Sequence, residues 1–491
     1  MPVTVDGRSL SLESAIEVAE GGARVKASPT SLKQMEKFRA LLEQKLARGD
    51  VVYGVNTGFG SLSDKVVRPE HLEELQLNLI RSHSAGVGSP LPAEVVRAAM
   101  VIRLNSLLNG NSAVRREVAE LIVGLLNKGV TPYVPEFGSL GASGDLVPSA
   151  HMALTMVGEG KAYRHGKLTD SSKVLSASKL KPIVLHAKEG LSLINGTAFT
   201  TALACVAVHR GGLLLKAADS ALAVTAEVLG ACSQSFDEKL LGVKLDPGQK
   251  YIAGELRAHL KGSRRIRSEP VPQDPYSIRC SPQVHGSLKD ALDFAGGITV
   301  NEMNSVSDNP VLIEDGSVMH GGNFHAQPVA MVLDLLSISL SYLGVISLAR
   351  IHYLLSKTPP ESKYMAGKPG LESGLMILEY TATALTNDNA KNVYPESSYP
   401  ASVSGGIEDH ASHGVNAGVK CLQVATNISR VLAIELICAS NILGSNESGI
   451  SEHAKKVCGF VRANSPLLRG DRAQGEEIEF LAKQALAGSL P

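Results

Sequence analysis

The 491-residue chain contains no tryptophan, and aromatic residues make up only 4% of it. Its six cysteines include no Cys-x-x-Cys pair, so their spacing matches no common redox or metal motif. We therefore expect buried, reduced thiols in a cytoplasmic protein. The N-terminal segment lacks a basic stretch followed by an apolar run, so we expect no signal peptide.

Neither positively nor negatively charged residues are in excess. Lysine and arginine together number 48, aspartate and glutamate together number 48, and the formal net charge is +0. This balance argues against nucleic acid or an anionic membrane as the main partner, and it is compatible with an oligomer. The longest apolar segment, residues 329–349, contains Asp334 and runs on into Arg350. We predict a helix that is buried in protein and does not lie in lipid.

The pattern of the chain predicts a mainly α-helical fold with two domains. Hydrophobic residues make up 44%, which suits a globular protein, and the length suggests more than one core. The N-terminal domain, 1–198, mixes short strands with helices. The second, 199–491, is a bundle of helices longer than average. Helices are predicted from about residue 11 and over 69–82, 92–109, 113–128, 200–229, 284–303, 328–357 and 415–444. Short strands are predicted over 3–5 and near 163–169, and a hairpin over 311–320.

A cluster of acids and histidines raises the possibility of a metallohydrolase. Residues 408–413 read EDHASH, and residues 320–325 add two more imidazoles. The spacing matches no zinc motif such as HExxH, and such clusters more often form hydrogen-bonded networks. We therefore expect no metal. The glycine-rich loops likewise match no phosphate-binding motif, and Ser143 does not lie in a GxSxG nucleophile elbow.

The segment GSLGASGDL, residues 138–146, carries little side-chain chemistry but has unusual backbone freedom. If the loop bends tightly, the amide nitrogen of Gly144 can reach the carbonyl carbon of Ala142. Ring closure with loss of water, and loss of the Ser143 hydroxyl, then gives a methylidene-imidazolone. That ring is an electrophile, which no ordinary side chain is. Because Gly-Ala-Ser-Gly loops are common, spacing alone leaves a plain turn as the alternative.

Several sequence blocks resemble those of the aromatic amino acid ammonia-lyases, in family order over nearly the full chain. They are YGVNTGFG (53–60), GSLGASGDLVPSAHMAL (138–154), LINGTAF (193–199), QDPYSIRCSPQ (273–283), NEMNSVSDNP (301–310) and GGNFHA (321–326). The resemblance implies an ammonia-lyase and fumarase-like fold. It also implies an autocatalytic methylidene-imidazolone formed from Ala142, Ser143 and Gly144, with no external cofactor. Tyr53 is implied as the base that removes the proton from the substrate β-carbon.

The resemblance also implies a set of substrate-binding residues. Arg279 clamps the substrate carboxylate, with Gln273 and Tyr276 beside it, while Asn195 bonds near the electrophile and Phe324 packs against it. His83 and Glu408 recognise the ring. The pair Ser82-His83 and the run Glu408-Asp409-His410 are similar to the histidine-specific members. These members convert L-histidine to trans-urocanate and ammonia, the first step of histidine degradation.

The implied assembly is a homotetramer whose active sites are shared among three subunits, with Tyr53, Asn195 and Arg279 on different subunits. Two features depart from the histidine-specific pattern. Ile407 stands where glutamine is usual, and the segment 390–406 is rich in tyrosine and proline. The alternative within the class is therefore a tyrosine ammonia-lyase or aromatic aminomutase. Outside the class the alternatives are a metallohydrolase and an inactive helical scaffold.

Overall fold

The computed structural model describes residues 2–60, 64–269 and 271–491. The first part of the chain contains β1 (Val3–Val5), α1 (Leu12–Ala19), β2 (Val25–Ala27), α2 (Pro29–Ala47), α3 (Leu72–His83), β3 (Val87–Pro90), α4 (Ala93–Leu108), α5 (Arg116–Asn127), β4 (Val130–Pro132), β5 (Pro135–Phe137), α6 (Leu146–Met156), β6 (Lys161–Arg164), β7 (Lys167–Asp170), α7 (Ser171–Ala177) and α8 (Glu189–Ile194). The remainder contains α9 (Ala198–Leu229), α10 (Glu238–Gly242), α11 (Pro247–His259), α12 (Tyr276–Arg279), α13 (Ser281–Met303), β8 (Val311–Leu312), β9 (Val318–Met319), α14 (Gln327–Ser356), α15 (Met376–Asn392), α16 (Gly414–Leu443), α17 (Glu452–Asn464) and α18 (Gly475–Leu486).

The prediction of a mainly α-helical fold is confirmed. The four long helices appear as α9, α13, α14 and α16, with bounds within a few residues of those predicted. The strands form small separate sheets. Strand β1 pairs with β2 in parallel. The other pairings are antiparallel and join β3 to β5, β4 to β6, β6 to β7, and β8 to β9. The hairpin predicted over 311–320 is the β8–β9 pair.

The chain divides into two compact units that do not coincide with a single cut after residue 198. The first unit comprises the chain up to Val206 together with Ala295–Asp334 and Pro395–Val419. The second comprises Ala207–Phe294, Leu335–Tyr394 and Lys420–Pro491. Four of the boundaries fall inside α9, α13, α14 and α16, where the helical periodicity continues unchanged. Periodicity alone therefore gives no sign of them.

The first unit is built around α4, whose residues 95–108 are all buried. Although it is buried on every side, α4 is not wholly apolar: Arg97, Arg103 and Asn105 each donate to a backbone carbonyl. Helices α1 and α5 pack on α4, while α3, α6 and α8 pack on one another. The second packing arrangement matters for function, because the loop before α6 and the segment after α8 carry the candidate site.

The second unit contains α10, α11, α12, α15, α17 and α18 and most of the long helices. A buried ion pair lies within it: Arg350 donates two hydrogen bonds to the Glu435 carboxylate, at 2.6 and 2.8 Å, and neither side chain is exposed. Thr225 and Ser347 donate their hydroxyl hydrogens to the same carboxylate. This network satisfies a charge that an apolar interior could not otherwise accommodate.

Helices α9, α14 and α16 are long and apolar enough to cross a membrane, judged by length and composition alone. In the structure, 72%, 67% and 83% of their respective apolar windows is buried. The apolar surface predicted for residues 329–349 is thus largely covered by protein.

Candidate active site

The loop that joins β5 to α6 has a conformation that two glycines make possible. Gly141 and Gly144 have φ angles of +70° and +81°, which L side chains rarely adopt. A Cβ added at Gly144 would lie 2.4 Å from the Gly196 carbonyl oxygen, and one added at Gly141 would lie 2.2 Å from Ser412 Oγ. Both positions therefore require glycine for conformation and for space.

The segment after α8 holds this loop in place. Gly144 and Gly196 form a parallel β-bridge, and the Asp145 amide donates to the Gly196 carbonyl at 2.7 Å. Asn195 Nδ2 donates to the Ser143 carbonyl at 3.1 Å. As a result Ala142 and Gly144 are buried, while Ser143 is half-buried and faces a cavity.

Asp145, at the start of α6, connects the loop to α9 through hydrogen bonds from Thr200. Its carboxylate is fully buried and accepts hydrogen bonds from the amide and the hydroxyl of Thr200, both at 2.7 Å. Burial raises the pKa of Asp145 to about 6 because a buried carboxylate is poorly solvated, and the Thr200 hydrogen bonds offset part of this effect.

The cavity consists of two adjoining hollows of about 420 and 680 Å³, both lined by residues of the first unit. Tyr53, Ser143, Asn195 and Glu408 line both hollows. The smaller hollow adds His83, and the larger adds Phe324 together with Ala142. A cavity of this size suits a small ligand such as an amino acid.

Ser143 and Glu408 are in direct contact across the cavity, because the Ser143 hydroxyl donates to Glu408 Oε1 at 2.9 Å. Tyr53 lies beside them. Its phenol oxygen accepts a hydrogen bond from the Gly60 amide at 3.2 Å, and its ring meets His320 edge-on at 5.9 Å. Ser143 and Tyr53 therefore line one cavity.

His83 presents a defined tautomer to the smaller hollow. Its Nδ1 lies 2.9 Å from the Leu79 carbonyl oxygen, which can only accept, so Nδ1 carries the hydrogen. Nε2 of the neutral ring is then an acceptor. Burial lowers the pKa of His83, and the nearby Glu408 carboxylate opposes this only in part. Neutral His83 and the Glu408 carboxylate thus both offer acceptors to a ligand.

Three of the predicted site residues belong to the second unit. Gln273 and Tyr276 are exposed on the chain, and the Arg279 guanidinium lies 4.7 Å over the Tyr276 ring. The Nε of Arg279 is buried and has no hydrogen-bond partner among the described residues. Asp274 braces the segment by accepting a hydrogen bond from the Cys232 amide at 2.7 Å.

The structure differs from the expectation that Tyr53 and Asn195 belong to different subunits. Both line the same cavity of one chain. The reason is local: the turn that carries Tyr53 packs on α8, where a Cβ at Gly54 would lie 2.3 Å from Leu191. Asn195 follows directly at the end of that helix. Two residues far apart in sequence are thereby brought together.

The histidine and acid cluster does not assemble a metal centre in the described ranges. No group of three or more His, Cys, Asp or Glu side chains there is placed to hold a metal ion. His410 stacks on His325 with ring centroids 5.3 Å apart, and both line the larger hollow. Among the described residues, which include all six cysteines, no disulfide is formed, and five of the cysteines are buried.

Arg103, Asp145 and Gly196 were not predicted from the sequence as residues of the site. One signal was available for Arg103, which directly follows the apolar stretch 98–102 of α4. A charge beside such a stretch indicates a buried polar contact. Gly196 gives no comparable signal, because its importance comes from contacts between distant parts of the chain.

Comparison with known proteins places the chain in a family. Residues 10–463 match the profile of the aromatic amino acid lyases. The chain is 41% identical to histidine ammonia-lyase of Symbiobacterium thermophilum over an alignment of 493 residues, which covers 99% of this chain and 96% of that protein. The chain belongs to the aromatic amino acid lyase family.

Solved structures agree on the fold. A crystal structure of histidine ammonia-lyase from Trypanosoma cruzi is 37% identical with a TM-score of 0.91, covering 100% of this chain and 94% of that one. Tyrosine aminomutase from Streptomyces globisporus is 33% identical with a TM-score of 0.93, covering 100% and 98%. Overall shape therefore does not separate a histidine-specific enzyme from a tyrosine-specific one, and the ring-facing side chains must decide.

Proposed function

We propose that this protein eliminates ammonia from L-histidine to give trans-urocanate. The observation that carries the proposal is the contact between Ser143 and Glu408 in a cavity that Tyr53, His83 and Asn195 also line. This arrangement combines a loop able to form an electrophile, a candidate base, and acceptors for a nitrogen-containing ring. Relatives near 40% identity that are named histidine ammonia-lyase support the choice of substrate.

The electrophile would be made from Ala142, Ser143 and Gly144. The Gly144 nitrogen bonds to the Ala142 carbonyl carbon, whose oxygen leaves as water. Ser143 then loses its hydroxyl and its Cα hydrogen as a second water. The loop fits this product, since Gly144 has no Cβ and has a positive φ. Asn195 Nδ2 already donates a hydrogen bond to the Ser143 carbonyl oxygen. When formed, the group supplies an electron sink for the substrate amine, although attack on the ring is the older alternative.

The chain's own residues divide the remaining tasks. Tyr53 takes the β-carbon proton, since Tyr53 lines both hollows together with Ser143. Glu408 accepts a hydrogen bond from an imidazole N–H, and His83 offers Nε2 as a second acceptor. A neutral imidazole has one N–H and can pair with one of these acceptors, whereas a phenyl ring has none and pairs with neither, which is costly in a buried site.

A homotetramer with shared sites would complete the cavity. Among the described residues that line the two hollows, none is lysine or arginine, so one chain offers no cation for the substrate carboxylate. Arg279 is suited to that role because its planar fork matches a carboxylate. We propose that Arg279 of a neighbouring subunit supplies this cation, with Gln273 and Tyr276 beside it. We also propose a cytoplasmic location, which suits six cysteines that form no disulfide among the described residues.

The second candidate is a tyrosine ammonia-lyase or aminomutase. The similarity to tyrosine aminomutase favours it, and a tyrosine hydroxyl could also donate to Glu408 or His83. A metallohydrolase should lose activity on treatment with chelators. An inactive scaffold should keep the tripeptide 142–144 unmodified.

Steady-state kinetics and product identification with L-histidine, L-tyrosine and L-phenylalanine test the proposal. We expect trans-urocanate and ammonia from histidine, and a kcat/KM for phenylalanine lower by about 10⁴-fold, as for comparable hydrogen-bonding sites. A preference for tyrosine, or a β-amino acid product, would reject the histidine assignment and leave family membership intact.

A further inference from the structure

Arg103 is a buried arginine with few hydrogen bonds of its own. It lies on α4, its side chain is only 1% exposed, and its Nη2 donates to the Asn195 backbone carbonyl. Its Nε and Nη1 have no hydrogen-bond partner among the described residues. Because burying an incompletely paired charge is costly, such a side chain needs a compensating contribution.

Two buried carboxylates attract the Arg103 charge without bonding to it directly. Asp308 accepts from Lys188 Nζ at 2.8 Å, and both side chains are fully buried. The negative charges of Asp308 and Asp145 favour charged Arg103, whereas burial lowers its pKa. Burial outweighs this attraction, since the pKa of Arg103 is lowered overall, and the guanidinium N–H groups face the backbone at Asn195 and Gly196.

Gly196 lies between Arg103 and the electrophile loop. On one side, a Cβ at Gly196 would lie 2.7 Å from Arg103 Nη1 and 2.6 Å from Ser307 Oγ. On the other side, the Gly196 carbonyl accepts from the Asp145 amide at 2.7 Å and closely approaches Gly144. Arg103 therefore contacts the Asn195–Gly196 backbone on the side opposite the electrophile loop.

We propose that Arg103 is a positioning residue that clamps the Asn195–Gly196 backbone against Ser143–Gly144. The clamp holds the loop in the bend from which the Gly144 nitrogen closes on the Ala142 carbonyl carbon. Arg103 touches none of the reacting atoms and acts through Asn195. A charge-assisted hydrogen bond suits this task because it is about twice as strong as a neutral one. The inference rests on the proposed function, since it concerns formation of the electrophile.

The matched control is Arg97, which lies on the same helix and is 8% exposed. Its guanidinium donates to the backbone carbonyls of Val18, Ala19 and Leu126, so its contacts lie away from the electrophile loop. Arg97→Met therefore removes a comparable buried cation without affecting the clamp.

The experiment follows the loss of two waters in the full-length chain by intact mass at increasing times after synthesis, alongside the melting temperature. We expect Arg103→Met to slow this loss about tenfold or more, the rate equivalent of one charge-assisted hydrogen bond. Arg97→Met should lower the melting temperature and leave the loss as fast as in the wild type.

Arg103→Lys keeps the inference testable if Arg103→Met does not fold. Lysine retains the charge, but its nitrogen reaches one bond less far than Nη2, so it should also slow the loss of water. Loss at the wild-type rate in a folded Arg103 variant overturns the clamp and leaves the proposed function standing. A wild-type chain that never loses the two waters contradicts the proposed function itself.

Discussion

Ser143 and Glu408 form the contact on which the choice of substrate depends. If the proposed electrophile forms, the Ser143 hydroxyl is lost, and the hydrogen bond that it donates to Glu408 is lost with it. The carboxylate is then available to a new donor in the same cavity. An imidazole N–H is such a donor, which explains how one carboxylate serves the immature loop and then the substrate.

Glu408→Gln tests this role. The substitution keeps the shape but removes the charge, so we expect kcat/KM for histidine to fall by about 10- to 100-fold, the equivalent of one hydrogen bond to a charged group. Any residual tyrosine activity should fall much less. Asp409→Asn, one residue further along the wall of the larger hollow, is the control. Unchanged histidine turnover in Glu408→Gln would show that the ring is recognised elsewhere.

At the scale of the helix, charge buried among long apolar elements decides stability. Arg350 on α14 and Glu435 on α16 form a bidentate pair, and both are fully buried. Removing one partner leaves the other charge uncompensated, whereas removing both leaves no charge to solvate. The pair should therefore behave very differently in single and double variants.

Arg350→Met should lower the free energy of unfolding by about 3–5 kcal/mol. The double variant Arg350→Met with Glu435→Leu should recover much of that loss. Arg430→Met, which breaks the more exposed pair with Glu479 on α16 and α18, should cost less than about 1 kcal/mol. Denaturant titrations of the four proteins measure this. A double variant no more stable than Arg350→Met would show that the hydroxyl partners dominate.

The elements differ in how far sequence predicts them. The long helices were predictable because apolar periodicity continues over many turns. No prediction was made for α15, whose buried residues are only Leu378, Ala382 and Asn389, which is too few for an apolar stripe. Motif blocks identified Tyr53 and Asn195, but sequence spacing could not show that both face one cavity. That result depends on packing between the Tyr53 turn and α8.

At the scale of the whole molecule, stability should fall in mild acid. His453 on α17 stacks on His259 of α11, with ring centroids 3.8 Å apart. Burial, together with the positive charges of His259 and Lys456, lowers the pKa of His453 to about 4. As the pH falls from 6.5 toward 4, the unfolded chain therefore takes up a proton that folded His453 does not.

His453→Phe keeps a ring in the stack and removes this titration. We expect its melting temperature to decline less than that of the wild type between about pH 7 and about pH 5. His71→Asn, at an exposed position of the first unit, is the control and should follow the wild type. An identical decline in wild type and His453→Phe would mean that other groups set the acid sensitivity.

Mixing inactive subunits tests the shared site. Ser143→Ala and Arg279→Met should each be nearly inactive, because one lacks the electrophile and the other the carboxylate partner. Random mixed tetramers should regain activity in about a quarter of their sites, since an intact Ser143 cavity meets a neighbour's intact Arg279. Ser143→Ala mixed with Tyr53→Phe should regain none, because both residues line one chain's cavity. The reverse outcome would contradict the assignment of residues to subunits.

The central claim is that Ala142, Ser143 and Gly144 become the electrophile of an ammonia-lyase. Peptide mapping by mass of the segment 138–146 from freshly purified, folded protein tests it most directly. The account predicts a segment lighter than its sequence by two waters in the wild type, and a Ser143→Ala chain that cannot lose the second water. A wild-type segment of full, unmodified mass would contradict it.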